Sequence, residues 1–283
     1  MKPSSRITII TLLGFWLTIF GGLPLLLLLV TSFLGQHPEK FFELNFSLES
    51  YRQLLDSSYL DILLRSIKQA VITTLLCLVI SYPFVWLTAR MNKRNRNIVL
   101  ILVMIPFWTN SLIRTYAVRI IIGTNGLLNK MLLGLGLIDS PLRLMYSETA
   151  VVIGLIYLML PFMILPLYAN LEKFDYRLVE AARDLGAGNT QIFLRIALPL
   201  TLPGIIGGSI MVFVPTMGLF YVASLLGGGK NLLVGNLIHQ NFLVSQNWPL
   251  GAAMSTALIL MLLSMLLAYT FILRKMKSRE VAG

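Results

Sequence analysis

The sequence predicts an all-α integral membrane fold: six transmembrane helices, with a polar helix-turn-helix loop between the fourth and the fifth. Three observations predict it. Of 283 residues, 57% are hydrophobic and only 12% are charged, with a mean hydropathy of +0.80, whereas soluble domains carry roughly 25% charged residues. The apolar residues gather into runs that reach the roughly 20 positions a helix needs to cross a bilayer. Between two of those runs, residues 172–200 turn abruptly polar and amphipathic. These elements account for the whole length, so residues 1–283 are expected to form one transmembrane domain.

The first run, 7–34, carries no charge and follows Lys2 and Arg6. It is longer than the apolar core of a signal peptide and lacks an evident small-residue cleavage site, so it reads as a retained first span. Residues 36–61 are polar and partly acidic, a loop with a short surface helix. The second span covers 67–89 and ends in a tight basic turn of Arg90, Lys93, Arg94 and Arg96. The third, 98–122, is less apolar, because it holds Thr109-Asn110-Ser111 together with Arg114 and Arg119. Both arginines are expected to snorkel toward the outer interface. Residues 123–148, rich in Gly and Leu, read as a loop with a short interfacial helix, and the fourth span follows at 150–171. The fifth and sixth, 202–226 and 250–273, flank a loop that contains Lys230 and His239.

Six spans place both termini on one side. Assigning that side to the cytoplasm gives it 14 of the 23 Lys and Arg residues, with the cluster around Arg94 and the tail Arg274-Lys275-Lys277-Arg279 close to span ends, as the positive-inside rule requires. The net charge of +11 therefore flanks apolar spans instead of covering one soluble face, and nucleic acid is not expected as a partner. Cys77, the one cysteine, lies within an apolar run, which excludes internal disulfides and thiolate metal sites. His37 and His239 stand too far from one another in the sequence to suggest a metal site. Gly227-Gly228-Gly229-Lys230 is followed by Asn231, with Ser224 where a phosphate-binding loop has its first glycine, so ATP hydrolysis by that route is excluded. No nucleophile-base pair or metal cluster suggests an enzyme of another kind.

In the polar loop, Leu178, Ala181, Ala182 and Leu185 fall at i, i+3, i+4 and i+7, one face of a helix; Phe193, Ile196, Ala197 and Leu200 repeat that spacing. Gly186 and Gly188 can take left-handed backbone angles and stop the first helix, and Asn189 or Thr190 can cap the second. The two alanines let another surface approach closely, and Glu180 puts a carboxylate on the adjoining face. Spacing alone would equally describe a helical hairpin lying on the membrane.

The full pattern Glu180-Ala181-Ala182, Gly186, Ile196, Leu198-Pro199 resembles the EAA loop of ABC importer permeases, with every fixed position filled. The stretch from Pro106 to Arg114 and the stretch Met217-Gly218-Leu219-Phe220-Tyr221-Val222 further resemble the permeases of bacterial spermidine/putrescine ABC importers. The resemblance implies a cytoplasmic coupling loop that docks on an ATPase, both termini in the cytoplasm, and a place in the bacterial inner membrane. It implies a homologous second permease subunit, two copies of a cytoplasmic ATPase that binds ATP and Mg, and a periplasmic polyamine-binding protein. No cofactor is expected on this chain itself. A permease for another small solute and an energy-independent channel or secondary carrier are the alternatives; the lack of Asp or Glu deep in any span weighs against proton coupling.

A passage is expected where proline breaks coincide with polar and aromatic residues. Pro83, Pro106, Pro161, Pro166 and Pro215 each lie inside a span, and proline frees a carbonyl one turn earlier. Beside Pro106 stand Trp108 and Asn110; beside Pro215 stand Thr216, Phe220 and Tyr221. Their rings could meet an ammonium group through cation-π contact. Packing or interfacial anchoring is the alternative for the rings, and helix-to-helix hydrogen bonding for Asn110.

Overall fold

The computed structural model describes residues 11–281 apart from 38, 39 and 230, and only the backbone of 272–281. Residues 7–10 of the expected first span, Lys2, Arg6 and Lys230 lie outside the described residues, as do the side chains of the basic tail. Five helices are long and apolar enough to cross a membrane: α1 (Thr11–Thr31), α3 (Ser57–Ala89), α7 (Glu148–Leu171), α9 (Asn189–Gly218) and the Trp248–Phe271 part of α12 (Trp248–Val281). A bent pair, Lys93–Trp108 with Ser111–Gly134, makes a sixth candidate.

The chain falls into two compact units, Met1–Leu63 with Leu237–Leu263, and Leu64–Asn236 with Ser264–Gly283. In the first unit α1 widens into a π-turn at Thr18–Gly22, where the Leu23 N–H reaches Thr18 O. The Thr18 hydroxyl donates to Gly14 O at 2.8 Å, and side-chain bonding to the preceding turn loosens a helix there. The segment read as loop carries a two-stranded antiparallel pairing, β1 (Leu34–Gly35) with β2 (Glu43–Phe46), before the short helix α2 (Glu49–Gln53). Phe33 ties these together, with its ring 5.8 Å from Phe46 and 5.1 Å from Tyr51. In the same unit Trp248 gathers Phe41 at 4.6 Å and Phe242, near the end of α11 (Val234–Leu243), at 6.3 Å.

The second unit is built on α7, which is apolar all round and accordingly buried. Leu155, Leu158, Met163, Leu167 and Leu171 of α7 are each at most 1% exposed. Around its first half lie Cys77 of α3, Val118 and Ile122 of α5 (Ser111–Ile122), Val212 of α9, and Val222 and Leu226 of α10 (Phe220–Gly227). Around its second half lie Val85, Tyr82 and Trp86 of α3. Helices α7 and α9 meet almost backbone to backbone. A Cβ at Gly208 would sit 2.7 Å from Met163 Sδ, and one at Gly204 only 2.8 Å from Asn170 Cβ. Small residues at such crossings are what membrane helix packing uses in place of a hydrophobic drive.

The largest differences from the sequence reading lie in the second, third and fifth spans. α3 starts at Ser57, ten residues early, because the polar stretch Arg65-Ser66 stays helical, with Ser66 Oγ accepting the Val234 N–H at 2.9 Å. The third span is not continuous: α4 (Lys93–Met104) runs into a 3₁₀ turn at Ile105–Trp108 before α5, and the two arms bend by 98°. The fifth ends at Gly218 instead of 226, since Leu219 takes φ −76, ψ 64, the inverse γ-turn conformation. Between α5 and α7 lies the expected short helix, α6 (Leu127–Gly134).

Candidate functional site

In the polar loop, α8 (Arg177–Asp184) is followed by Gly186 at φ +81. Two hydrogen bonds define the stop: Ala187 N to Ala182 O and Gly186 N to Arg183 O, both 2.9 Å. These are the paired bonds of a Schellman closure, which demands a left-handed residue at the position Gly186 fills. Gly188 is not left-handed; at φ −71, ψ 158 it is extended and precedes the first turn of α9, and its N–H donates to Gln191 Oε1 at 3.3 Å. Asn189 is accordingly the first helical residue, not the cap. The turn needs one special glycine, not two.

The faces of α8 divide sharply. Val179 is 2% exposed and anchors the helix, whereas Leu178 and Leu185 are 45% and 89% exposed. Glu180, Ala181 and Gly186 are exposed and Ala182 is half-buried. Of the stripe Leu178, Ala181, Ala182 and Leu185 read from the sequence, all but the half-buried Ala182 thus point away from this chain, an apolar face with a carboxylate beside it. The second arm is not a separate helix. Residues Asn189–Gly218 form one continuous helix, interrupted only by a π-turn at Phe193–Ala197, where the Leu198 N–H bonds Phe193 O. Pro199 offers no N–H to Arg195 O, so the register widens just before it. Ile196, Leu198 and Pro199 form this joint: Ile196 and Leu198 are half-buried and Pro199 is exposed.

An aromatic cluster that the sequence reading missed fixes the base of the loop. Trp86 of α3 lies 5.6 Å from Phe174 and 5.8 Å from Tyr176, which are 5.1 Å from each other. The Arg90 guanidinium sits over Trp86 at 4.7 Å and over Tyr176 at 5.1 Å, and Arg96 pairs with Glu172 at 3.1 Å. Burial pushes the Tyr176 phenol up, opposed by Arg90. Tyr82 meets Phe193 edge-on at 5.4 Å. The signal was the i, i+4, i+8 stripe Tyr82, Trp86, Arg90. The basic turn after the second span thus holds the loop in place as well as contributing charge.

The residues expected along a passage fare differently from one another. Trp108 is 84% exposed. Asn110 caps α5, accepting the Leu112 N–H at 2.8 Å, and Thr109 Oγ1 donates to Pro106 O at 2.7 Å, so the polar residues of the third span serve the break itself. Thr216 is 0% exposed with its hydroxyl donated to Val212 O at 2.6 Å; it faces its own helix and not a passage. Phe220 and Tyr221 are half-buried, rings 5.8 Å apart. Asn236, unnoticed in the sequence, braces the second break by donating to Phe220 O at 3.0 Å and Ser224 Oγ at 2.8 Å. Helix α10 packs against α5 and α7, which brings the segments after the two breaks together as helices.

The two arginines of the third span part company. Arg119 is partly exposed and reaches Tyr146 OH at 3.4 Å. Arg114 does not snorkel: it is 9% exposed, its guanidinium lies 5.5 Å from the Phe107 ring, and Nε and Nη1 are buried without an acceptor among the described residues. Phe107 in turn packs edge-on against Phe162 at 5.0 Å. Arg114 and Phe107 stand on opposite sides of the 98° bend.

Residues 62–278 match the model of the family described as binding-protein-dependent transport system inner membrane component. The spermidine/putrescine transport system permease protein PotB of Salmonella typhimurium is 49% identical over 272 residues, 95% of this chain and 94% of that one. PotB of Haemophilus influenzae is 46% identical over 94% of this chain and 93% of its own. The inner membrane ABC transporter permease protein YdcU of Escherichia coli is 32% identical over 79% of this chain and 74% of its own. Among solved structures, a chain of a bacterial alginate ABC transporter in complex with alginate pentasaccharide-bound periplasmic protein superposes with a TM-score of 0.75 at 15% identity, covering 95% of this chain and 94% of that one. At that identity the likeness is one of fold.

Proposed function

This chain belongs to the family of binding-protein-dependent transport system inner membrane components, and on that premise we propose that it is the permease subunit of an ATP-driven importer of polyamines, spermidine or putrescine. The observation that carries the reading is the identity of 46% and more with PotB permeases over almost the entire chain. It is a transport subunit and not an enzyme, and ATP hydrolysis belongs to a separate ATPase. Its place is the inner membrane, crossed several times by apolar helices.

The finer parts of the reading rest on geometry and charge. The partners are a homologous second permease, two copies of the ATPase, which holds ATP and Mg, and a periplasmic polyamine-binding protein. Both termini lie in the cytoplasm, a placement supported by the basic turn at 90–96 and the basic tail. The exposed Leu178-Ala181-Leu185 face of α8, with Glu180 beside it, is the docking surface for the ATPase. Closure of the ATPases displaces that face, α9 carries the movement into the membrane, and the breaks at Thr109-Asn110 and Leu219 let helix halves reorient to expose the passage alternately. Trp108, Phe220 and Tyr221 remain the cargo-facing candidates, and Asn110 contributes by holding the break.

The test is reconstitution of the chain with its second permease, ATPase and binding protein in vesicles. ATP-dependent accumulation of spermidine or putrescine, driven only by the loaded binding protein, is the expected result. ATPase activity stimulated by the binding protein loaded with some other solute, and not by polyamine, would overturn the cargo assignment.

A further inference from the structure

Helices α7 and α9 close tightly at Gly204 and Gly208, but not at Gly207 between them. A Cβ at Gly207 would have no neighbour nearer than Tyr269 OH at 3.6 Å and Pro166 Cβ at 3.9 Å. The space left there is part of a cavity of about 400 Å³ bounded by the end of α7, residues 203–211 of α9 and the Leu266–Tyr269 turn of α12. Its two ends differ in chemistry. Asn170, which packs on Gly204, and Tyr269, which bonds Pro203 O, mark one end, with Lys173 in the turn that follows Asn170; Ile210, Met211 and Leu266, about a turn or more further along their helices, line the other. From Pro203 to Met211 the helix rises about 12 Å.

Lys173 sets the charge of the polar end. The carboxylate next to it in sequence, Glu172, is engaged by Arg96 at 3.1 Å, and no carboxylate lines the cavity. The Tyr269 hydroxyl donates to Pro203 O at 3.4 Å, a long bond that a better acceptor could take over. A cationic, hydrogen-bonding end joined to an apolar trough of this length matches one kind of molecule, an amphiphile with an anionic head. A polyamine is repelled by Lys173 and gains nothing from Ile210, Met211 and Leu266.

We propose that this cavity binds an anionic phospholipid, with the phosphate held by Lys173, Asn170 and Tyr269 and an acyl chain lying along Gly207, Met211 and Leu266. Only the leaflet rests on the functional reading above: with the loop in the cytoplasm, Lys173 stands at the inner interface, where anionic lipid and juxtamembrane cations attract each other. Because Lys173 follows α7 and opens the loop, the bound lipid sits against the hinge between the fourth span and the ATPase-docking face. The permease therefore works best in membranes that contain such lipid.

The experiment measures lipid retention and polyamine transport separately. The assembled importer is purified with phosphatidylglycerol, and retained lipid is counted by native mass spectrometry for the parent, Lys173→Gln, Gly207→Met and the control Lys93→Gln, a lysine outside the cavity. Lys173→Gln should weaken retention of one lipid about fivefold, the worth of one lysine near an anionic surface. Gly207→Met should abolish retention of that lipid by filling the trough, and Lys93→Gln should leave it unchanged. Equal retention by all four proteins would overturn the proposal. So would efficient crosslinking of a cysteine at Met211 to the second permease, because a protein would then cover the trough. Failure of polyamine accumulation with lipid retention intact would instead strike the functional reading alone.

Discussion

Replacing Gly186 isolates the contribution of one backbone angle. The residue sits at φ +81 with nothing within 4 Å of where a Cβ would stand, so Gly186→Ala introduces no clash, only the cost of holding an L-residue in the left-handed region. That cost is about 1–2 kcal/mol, or roughly 5–30-fold in the equilibrium between the closed turn and alternatives that lose the two 2.9 Å bonds to Arg183 O and Ala182 O. Asn tolerates this region better than Ala, and a β-branched residue tolerates it worst. The prediction is therefore an order: Gly, then Asn, then Ala, then Val. Apparent affinity of the permease pair for its ATPase, measured by titration in detergent, should fall in that order, about tenfold by Ala, with membrane insertion unchanged. If Val and Asn bind the ATPase equally well, the turn does not position the docking face, and the coupling role assigned to 177–199 is wrong.

Three further outcomes are expected. Glu180→Lys, an exposed charge reversal, should abolish ATPase association while the subunit remains detectable in membranes, and pull-down with the ATPase checks it. Gly208→Ala should destabilise by about 1–3 kcal/mol through overpacking, since its Cβ would meet Met163 Sδ at 2.7 Å and Met163 O at 3.2 Å; Gly218→Ala, with nothing within 4 Å, should be nearly silent in the same thermal melt of the purified complex. Asn110→Ser should retain transport, because serine also caps a helix, whereas Asn110→Ala should lose about 1 kcal/mol of stability; equal loss of transport with unchanged stability in both variants would make Asn110 a cargo contact instead.

The sequence made the apolar spans legible because length and hydropathy are set by the bilayer and need no partner to be read. α7 came out within two residues of its expected start, since an apolar run bounded by Ser147 and Glu148 has a cap written into it: Ser147 Oγ accepts the Ala150 N–H at 3.2 Å. The breaks were only half legible. Pro106 and Pro215 marked their neighbourhoods, yet both breaks are closed by local polar bonds. Asn110 caps the helix that follows the first, and Asn236 braces the second from sixteen residues away. Composition counts an amide in a span as a solute contact or a helix-helix bond; it does not count it as a cap. Arg114 escaped for a related reason. Snorkelling follows from depth alone, whereas its burial depends on where Phe107 goes after the bend.

Under the coupling role proposed above, the thirty-residue helix Asn189–Gly218 is the lever. At 1.5 Å per residue it is about 45 Å long, so a tilt of about 10° around its loop end sweeps the membrane end sideways by about 8 Å. No flexible connector stands between the turn at Gly186 and the break at Leu219 to absorb that sweep. The π-turn at Phe193–Ala197 is the one interruption of that shaft, a widened turn of the kind found at functional sites. An inserted alanine on either side of it should separate the two arms: before the π-turn it rotates the docking face against the shaft, and after it the shaft against the break at Leu219.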